Sequence, residues 1–375
     1  MKTFCALPFY SQYIGVQSGG MCCAMVESND YSSHDTDDYS DRWNDQKHQL
    51  MRQQLLRGER PKQCDVCFRK EDLGAISMRE SSVGNLDVRS RLISFGKEDS
   101  VPPPSHLQLR LSGLCNLACV MCNSSFSSLW EKELSKMRPN QEWMETYHPV
   151  SKKGERSVDS IIDYVLRISD QLQGIYFTGG ETSTCPHVKK ILSQLIDLGR
   201  TDIKISVVSN LSSLSDDFYS LLDRFQQVRL HCSVDAYGSA NEYIRWPMRW
   251  EKFDSNLRSI VSSKHYDIAL DIAYQNLSLF SLFDLLEHYS DIKLDYFLQM
   301  VDIPPILSPH NLPQGVAERW LAAARSNRHS HILEPIINTL SSHSHETHIP
   351  VNQYLDPIDL KRGTDWKLTF PHMIV

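Results

Sequence analysis

From residue 106 onward the chain alternates short apolar runs with amphipathic stretches, and this alternation restricts its fold more than any other feature. The runs at 107–111, 174–177, 204–209, 228–234, 268–274 and 293–300 read as strands. The stretches at 158–172, 187–198, 216–225 and 279–290 read as helices. Strand and helix signals in alternation build a parallel sheet from βα units, so six of them predict an α/β fold of the partial (βα)6, TIM-like barrel type. In such barrels chemistry sits at the C-terminal ends of the strands. The residues with chemical potential in this stretch fall at or just past those ends.

Cys115, Cys119 and Cys122 form a C-x3-C-x2-C triplet directly after the first run. Three thiolates can hold three irons of a [4Fe-4S] cluster, leaving the fourth iron open to chelate a small molecule through an amine and a carboxylate. A zinc site usually closes with a fourth ligand and pairs its cysteines in twos, and the bland alternative is three packing thiols. After the second run comes Thr178-Gly179-Gly180-Glu181. Its glycines let the backbone approach a ligand closely, and its carboxylate can accept a hydrogen bond from an ammonium group. The next two runs end in Ser209-Asn210 and Ser233-Val234-Asp235. Because side chains alternate along a strand, Val228, Leu230, Cys232 and Val234 share one face while Arg229, His231, Ser233 and Asp235 share the other, as suits a wall around a polar cavity. Cys232 then points to packed helices, and Asp271, Gln275 and Gln299 face the interior with the polar set. Asn210 and Asp235 suit caps equally well. Arg245 offers either a bidentate clamp for a carboxylate or an ordinary ion pair.

Residues 1–80 carry five more cysteines, Cys5, Cys22, Cys23, Cys64 and Cys67, and a Ser-rich acidic stretch at 27–41. Residues 81–105 end in Val-Pro-Pro-Pro-Ser and read as a linker, 106–305 as the barrel and 306–375 as a C-terminal extension. Adjacent side chains diverge, so one of Cys22 and Cys23 is expected to be spare. Cys64-x2-Cys67 suits zinc as well as iron and sulfur.

With 39 Lys+Arg against 46 Asp+Glu and a net charge of -7, the chain has no basic field to follow a phosphate backbone, which argues against nucleic acid as its main partner. No stretch approaches the ~20 apolar residues that span a bilayer, and the N-terminus lacks an apolar signal core. A cytoplasmic protein without a membrane partner is expected, in which ten cysteines are better explained by metal ligation than by disulfides. His343, His345 and His348 lack the spacing of a zinc protease and read as a solvated loop. Asp35, Asp37 and Asp38 lack the Gly and closing Glu of a calcium loop. Cys185 reads as a packing thiol.

The triplet after the first strand, Gly179-Gly180-Glu181 one βα unit later, and Ser209, Asn210, Ser233 and Asp235 at the following strand ends together resemble the radical SAM superfamily. The resemblance implies a [4Fe-4S] cluster on Cys115, Cys119 and Cys122. It also implies S-adenosyl-L-methionine held at its amino group by Gly179, Gly180 and Glu181, at its ribose and methionine parts by Ser209, Asn210, Ser233 and Asp235, and at its carboxylate by Arg245. The N-terminal cysteines, with Trp43, Glu71 and Arg79 between and after them, look like the auxiliary-cluster module called SPASM or twitch, here placed before the barrel. That likeness implies an auxiliary [4Fe-4S] cluster, with zinc as the alternative. The implied activity is reductive cleavage of S-adenosylmethionine to a 5'-deoxyadenosyl radical that takes hydrogen from a peptide or protein side chain, with an electron donor such as flavodoxin or ferredoxin. The alternative substrate is a small sugar, alcohol or nucleotide metabolite. A reading of another class, a non-catalytic Fe-S or zinc scaffold, is disfavoured by Gly179, Gly180, Glu181 and Asn210 beside an intact triplet.

Overall fold

Six expected runs become strands in the computed structural model, which describes residues 3–16, 19–25, 39–82, 88–98, 100–137, 157–342 and 349–374. Asp35, Asp37, Asp38, His343, His345 and His348 lie outside the described residues. The strands are β1 (Ser11–Gly15), β2 (Gly19–Gly20), β3 (His106–Arg110), β4 (Gly174–Thr178), β5 (Lys204–Ser209), β6 (Val228–Ser233), β7 (Asp267–Tyr274) and β8 (Asp295–Met300). They form one sheet in the order β2-β1-β3-β4-β5-β6-β7-β8, parallel except for the β1–β2 pair. The barrel part, β3 to β8, is the expected run of six βα units.

Local chemistry explains these elements. In β5, Ile205 and Val207 are fully buried on one face and Ser206 lies on the other, the period of two that a strand imposes. The helix Val158–Arg167 begins at Ser157, whose side chain accepts from the Ser160 amide, and buries Ile161, Ile162, Tyr164 and Val165. The helix Pro186–Asp197 starts with Pro at its first position and buries Val188, Ile191, Leu192 and Leu195, a stripe at spacings of three and four. These stripes and the outward faces of the strands make one continuous core. At about 1.5–3 kcal/mol for each fully buried Leu, Ile or Val, this face is what holds the helices to the sheet.

The sheet exceeds the six expected strands because the N-terminal segment adds β1 and β2. Ser11 pairs with His106 and Gly15 with Arg110, and the Tyr164 hydroxyl donates to Gln12 Oε1 at 2.8 Å. Part of the stretch expected to be a linker is helical, Val88–Glu98. Its Phe95 packs with Ala6, Phe9, Tyr10, Trp43 and Val101 in a small second core. Among the described residues no helix is long and apolar enough to cross a membrane.

Candidate active site

The cysteine loop follows β3 and is tied down by its own backbone. The Trp130 indole donates to Cys119 O at 2.7 Å, the Ser127 hydroxyl to Leu117 O at 2.6 Å, and the Ala118 and Val120 amides to Trp246 O and Ile244 O at 2.6 and 2.8 Å. Two further bonds come from the C-terminal helix Asn352–Arg362: the Tyr354 hydroxyl donates to Val120 O and the Arg362 guanidinium to Ala118 O, both at 2.7 Å. Arg362 also pairs with Glu133 at 2.9 Å and lies over the Trp130 ring at 4.6 Å. Trp130, Tyr354 and Arg362 carry no motif. Only their contacts with the loop reveal their part in it.

Gly179-Gly180-Glu181 runs directly against this loop. The Gly180 amide donates to Ser112 O at 3.2 Å and the Glu181 amide to Leu114 O at 2.7 Å. A Cβ on Gly180 would lie 2.1 Å from Leu114 O, and one on Gly179, whose φ is +138°, 2.7 Å from Ser112 O. The close approach these glycines permit is therefore to the cysteine loop, which was not foreseen from the sequence. The Glu181 side chain is buried and accepts four bonds. Oε1 takes the Ser183 amide, the Ser183 hydroxyl and the Ser209 hydroxyl at 3.1, 2.6 and 2.8 Å, and Oε2 takes the Asn210 amide at 2.7 Å. Glu181 thus fastens the end of β4 to the end of β5. Asn210 in turn donates to Asn116 Oδ1 at 2.9 Å, between Cys115 and Cys119.

Of the two readings open for Arg245, a carboxylate clamp or an ion pair, the structure shows the ion pair, and its partner is Asp235. Arg245 Nε lies 2.7 Å from Asp235 Oδ2 and its Nη2 donates to Oδ1 at 3.0 Å, and the Ala273 amide donates to Oδ1 at 2.8 Å. Burial pushes the Asp235 carboxyl up, with Arg245 pulling against it. Burial works to lower the Arg245 guanidinium, and Asp235 outweighs it and holds it up, with a smaller contribution from Cys119. Ser233 ends β6 beside them, buried and in register with Asp271.

Burial raises all three loop thiols, Cys122 to about 12, with Cys122 and Cys115 adding to the rise at Cys119 and Cys115 to that at Cys122. Arg245 counters this at each sulfur. Among the described residues, no three His, Cys, Asp or Glu side chains are gathered tightly enough to chelate a single ion. In the N-terminal segment, Cys64 ends the turn Lys62–Cys64 and Cys67 lies in the first turn of the helix Asp65–Asp72. Cys5 and Cys64 pack in one small core with Met21, Met51, Leu55 and Phe68. Cys22 is raised by burial and by Cys23, Cys5, Cys64 and Cys67. Cys23 turns its sulfur to within 3.7 Å of the Met78 sulfur. Cys185 and Cys232 are core thiols. Asp271 and Gln299 line a cavity between the barrel strands and the N-terminal segment, whose Cys23 and Cys67 also line it, whereas Gln275 is fully buried at the end of β7 and does not line it.

The strand ends of the parallel sheet thus carry the cysteine triplet and the glycine strap side by side. Residues 109–270 match the radical SAM superfamily, and the chain carries a radical SAM domain there, on the partial barrel. No curated protein matches the chain. Among solved structures, it is similar to SuiB of Streptococcus suis bound to the precursor peptide SuiA, at 13% identity and TM-score 0.44 over 76% of this chain and 58% of that one. It is also similar to anSMEcpe with bound AdoMet, at 15% identity and TM-score 0.38 over 52% of this chain and 51% of that one. The radical S-adenosylmethionine methyltransferase TsrM of Kitasatospora setae matches at 13% identity and TM-score 0.30, over 39% of this chain and 29% of that one. The chain spans less than two thirds of the length of each.

Proposed function

We propose that the protein is a radical SAM enzyme that holds a [4Fe-4S] cluster on Cys115, Cys119 and Cys122, binds S-adenosylmethionine beside it, and acts on a peptide or protein side chain. The observation that carries this is the joining of the cysteine loop to the glycine strap, Glu181 N to Leu114 O at 2.7 Å, with Arg245 close by. The donor set fits the cluster: three thiols are soft ligands of the kind iron–sulfur groups take. When bound, the cluster and S-adenosylmethionine supply one-electron cleavage that yields a 5'-deoxyadenosyl radical, with an electron donor such as flavodoxin or ferredoxin.

The chain's own residues supply the rest. The Leu117 amide donates to the Cys115 sulfur at 3.5 Å, and Arg245, fixed by Asp235, offsets negative charge on the thiolates. Gly179, Gly180, Ser209, Asn210 and Ser233 line up at the strand ends as the proposed contacts of S-adenosylmethionine. Glu181, with its side chain already satisfied, shapes that wall more than it binds. We assign Cys5, Cys64, Cys67 and one of Cys22 and Cys23 to an auxiliary [4Fe-4S] cluster, with zinc as the alternative. This thiol-rich module supports a peptide substrate. A small sugar, alcohol or nucleotide metabolite is the alternative substrate.

The test is 5'-deoxyadenosine formation, followed by mass spectrometry, with anaerobically reconstituted protein, dithionite and S-adenosylmethionine. A variant with Cys115→Ala, Cys119→Ala and Cys122→Ala serves as control. Product from the unaltered chain alone is expected. If iron-replete protein stays silent across peptide and metabolite pools, the scaffold reading replaces the enzyme.

A further inference from the structure

Most of the cavity's barrel wall comes from the first halves of strands, at the end away from the cysteine loop. Gln108, Tyr176, Ser206, His231 and Asp271 project into it from successive strands β3 to β7. The volume, about 600 Å3, lies in the range of small-molecule sites. Three large apolar side chains that stay exposed, Ile76 at 57%, Met78 at 38% and Phe297 at 43%, all belong to its lining. Exposed apolar side chains gathered at one cavity mark a place where something binds.

His231 is the best-positioned polar group in this space. Its Nδ1 lies 2.9 Å from Asp271 Oδ1, with side chains only 12% and 14% exposed. The ring stands edge-on to Tyr176 at 5.3 Å and is tilted against Phe297 at 5.4 Å, so its plane is set from two sides. With the carboxylate as acceptor, the proton sits on Nδ1 and Nε2 is left with a lone pair. Among the described residues no protein group bonds Nε2. A mere tie between strands would be redundant here, because β6 and β7 are already joined along their length.

We infer that this cavity is a ligand chamber in which His231, oriented by Asp271, accepts the proton of an O–H, S–H or N–H group carried on an apolar body. The X–H bond breaks with its electron pair staying on X, and the proton passes to Nε2. The imidazolium is stabilised by the Asp271 carboxylate, and no electron changes hands. The chamber lies apart from the cysteine loop, so the inference goes beyond the proposed function and does not rest on it.

p-Cresol and toluene are matched probes that differ in one hydroxyl, and their binding to the full chain is read by ligand-observed NMR without S-adenosylmethionine. p-Cresol is expected to bind about tenfold more tightly than toluene, the factor of one satisfied hydrogen bond. His231→Leu should erase that preference, His231→Gln should restore part of it, and Asp271→Asn should reduce it. Ser206→Trp narrows the chamber and should weaken binding of both probes. No binding to the unaltered chain, binding of both probes unchanged in Ser206→Trp, or a preference that survives His231→Leu overturns the inference. Because no turnover is involved, failure here is separate from failure to form 5'-deoxyadenosine.

Discussion

Gly180 shows how a single atom decides the site. Any side chain there puts a Cβ 2.1 Å from the Leu114 carbonyl, inside the loop that carries Cys115. Neither backbone can give way without moving a thiol. Gly180→Ala is therefore expected to cost about 1–3 kcal/mol, as overpacking does, and to lower iron retention after anaerobic reconstitution. Denaturant unfolding and iron analysis check both, and a variant of unchanged stability and iron content would show that the loop and strap are not coupled. Position and residue type here were legible from the run Gly179-Gly180-Glu181. The contact that demands glycine was not, because Leu114 meets Gly180 only after two strands have paired. The same holds for Asp235 and Arg245, whose pairing depends on where the helix Gly238–Ile244 returns the chain.

At the scale of elements, the cysteine loop depends on a helix more than two hundred residues later in the chain. Arg362 reaches Ala118 O and Glu133 and covers Trp130 with almost none of its side chain exposed. Removing one partner of a buried ion pair leaves the other charged and dry, at about 3–5 kcal/mol. Arg362→Ala should thus lower the melting temperature and loosen the loop, seen as faster amide exchange at Ala118 and Val120. A fall in stability with unchanged exchange there would place the effect elsewhere. The helices of the barrel were legible because their buried stripes repeat at spacings of three and four. Strand β1 was not, because five residues ending in Gly carry little signal and become a strand only when Ser11 to Gly15 lie along His106 to Arg110.

For the whole molecule, the buried thiols tie stability to pH. In the metal-free chain, burial raises Cys5 from 9.0 to about 11, and Cys64 and Cys122 to about 12. A group whose folded value is raised stabilises the fold fully below its unfolded value and stops doing so as pH climbs through the folded one. Metal-free protein is therefore expected to keep a constant denaturant midpoint up to about pH 9 and to lose stability progressively towards about pH 12. Bound metal requires thiolates, so loading should release protons and strengthen as pH rises. A midpoint that stays flat from pH 9 to 12 would show that the thiols are accessible to water. Periodicity, glycine positions and cysteine spacing are local properties, and from them alone the chain determined its parallel α/β barrel and the radical SAM motif. Tertiary structure decided how the N-terminal segment completes the sheet, which groups buttress the cysteine loop, and that His231 and Asp271 share one cavity. Those arrangements depend on contacts between residues far apart in the chain, and only folding brings them within bonding distance.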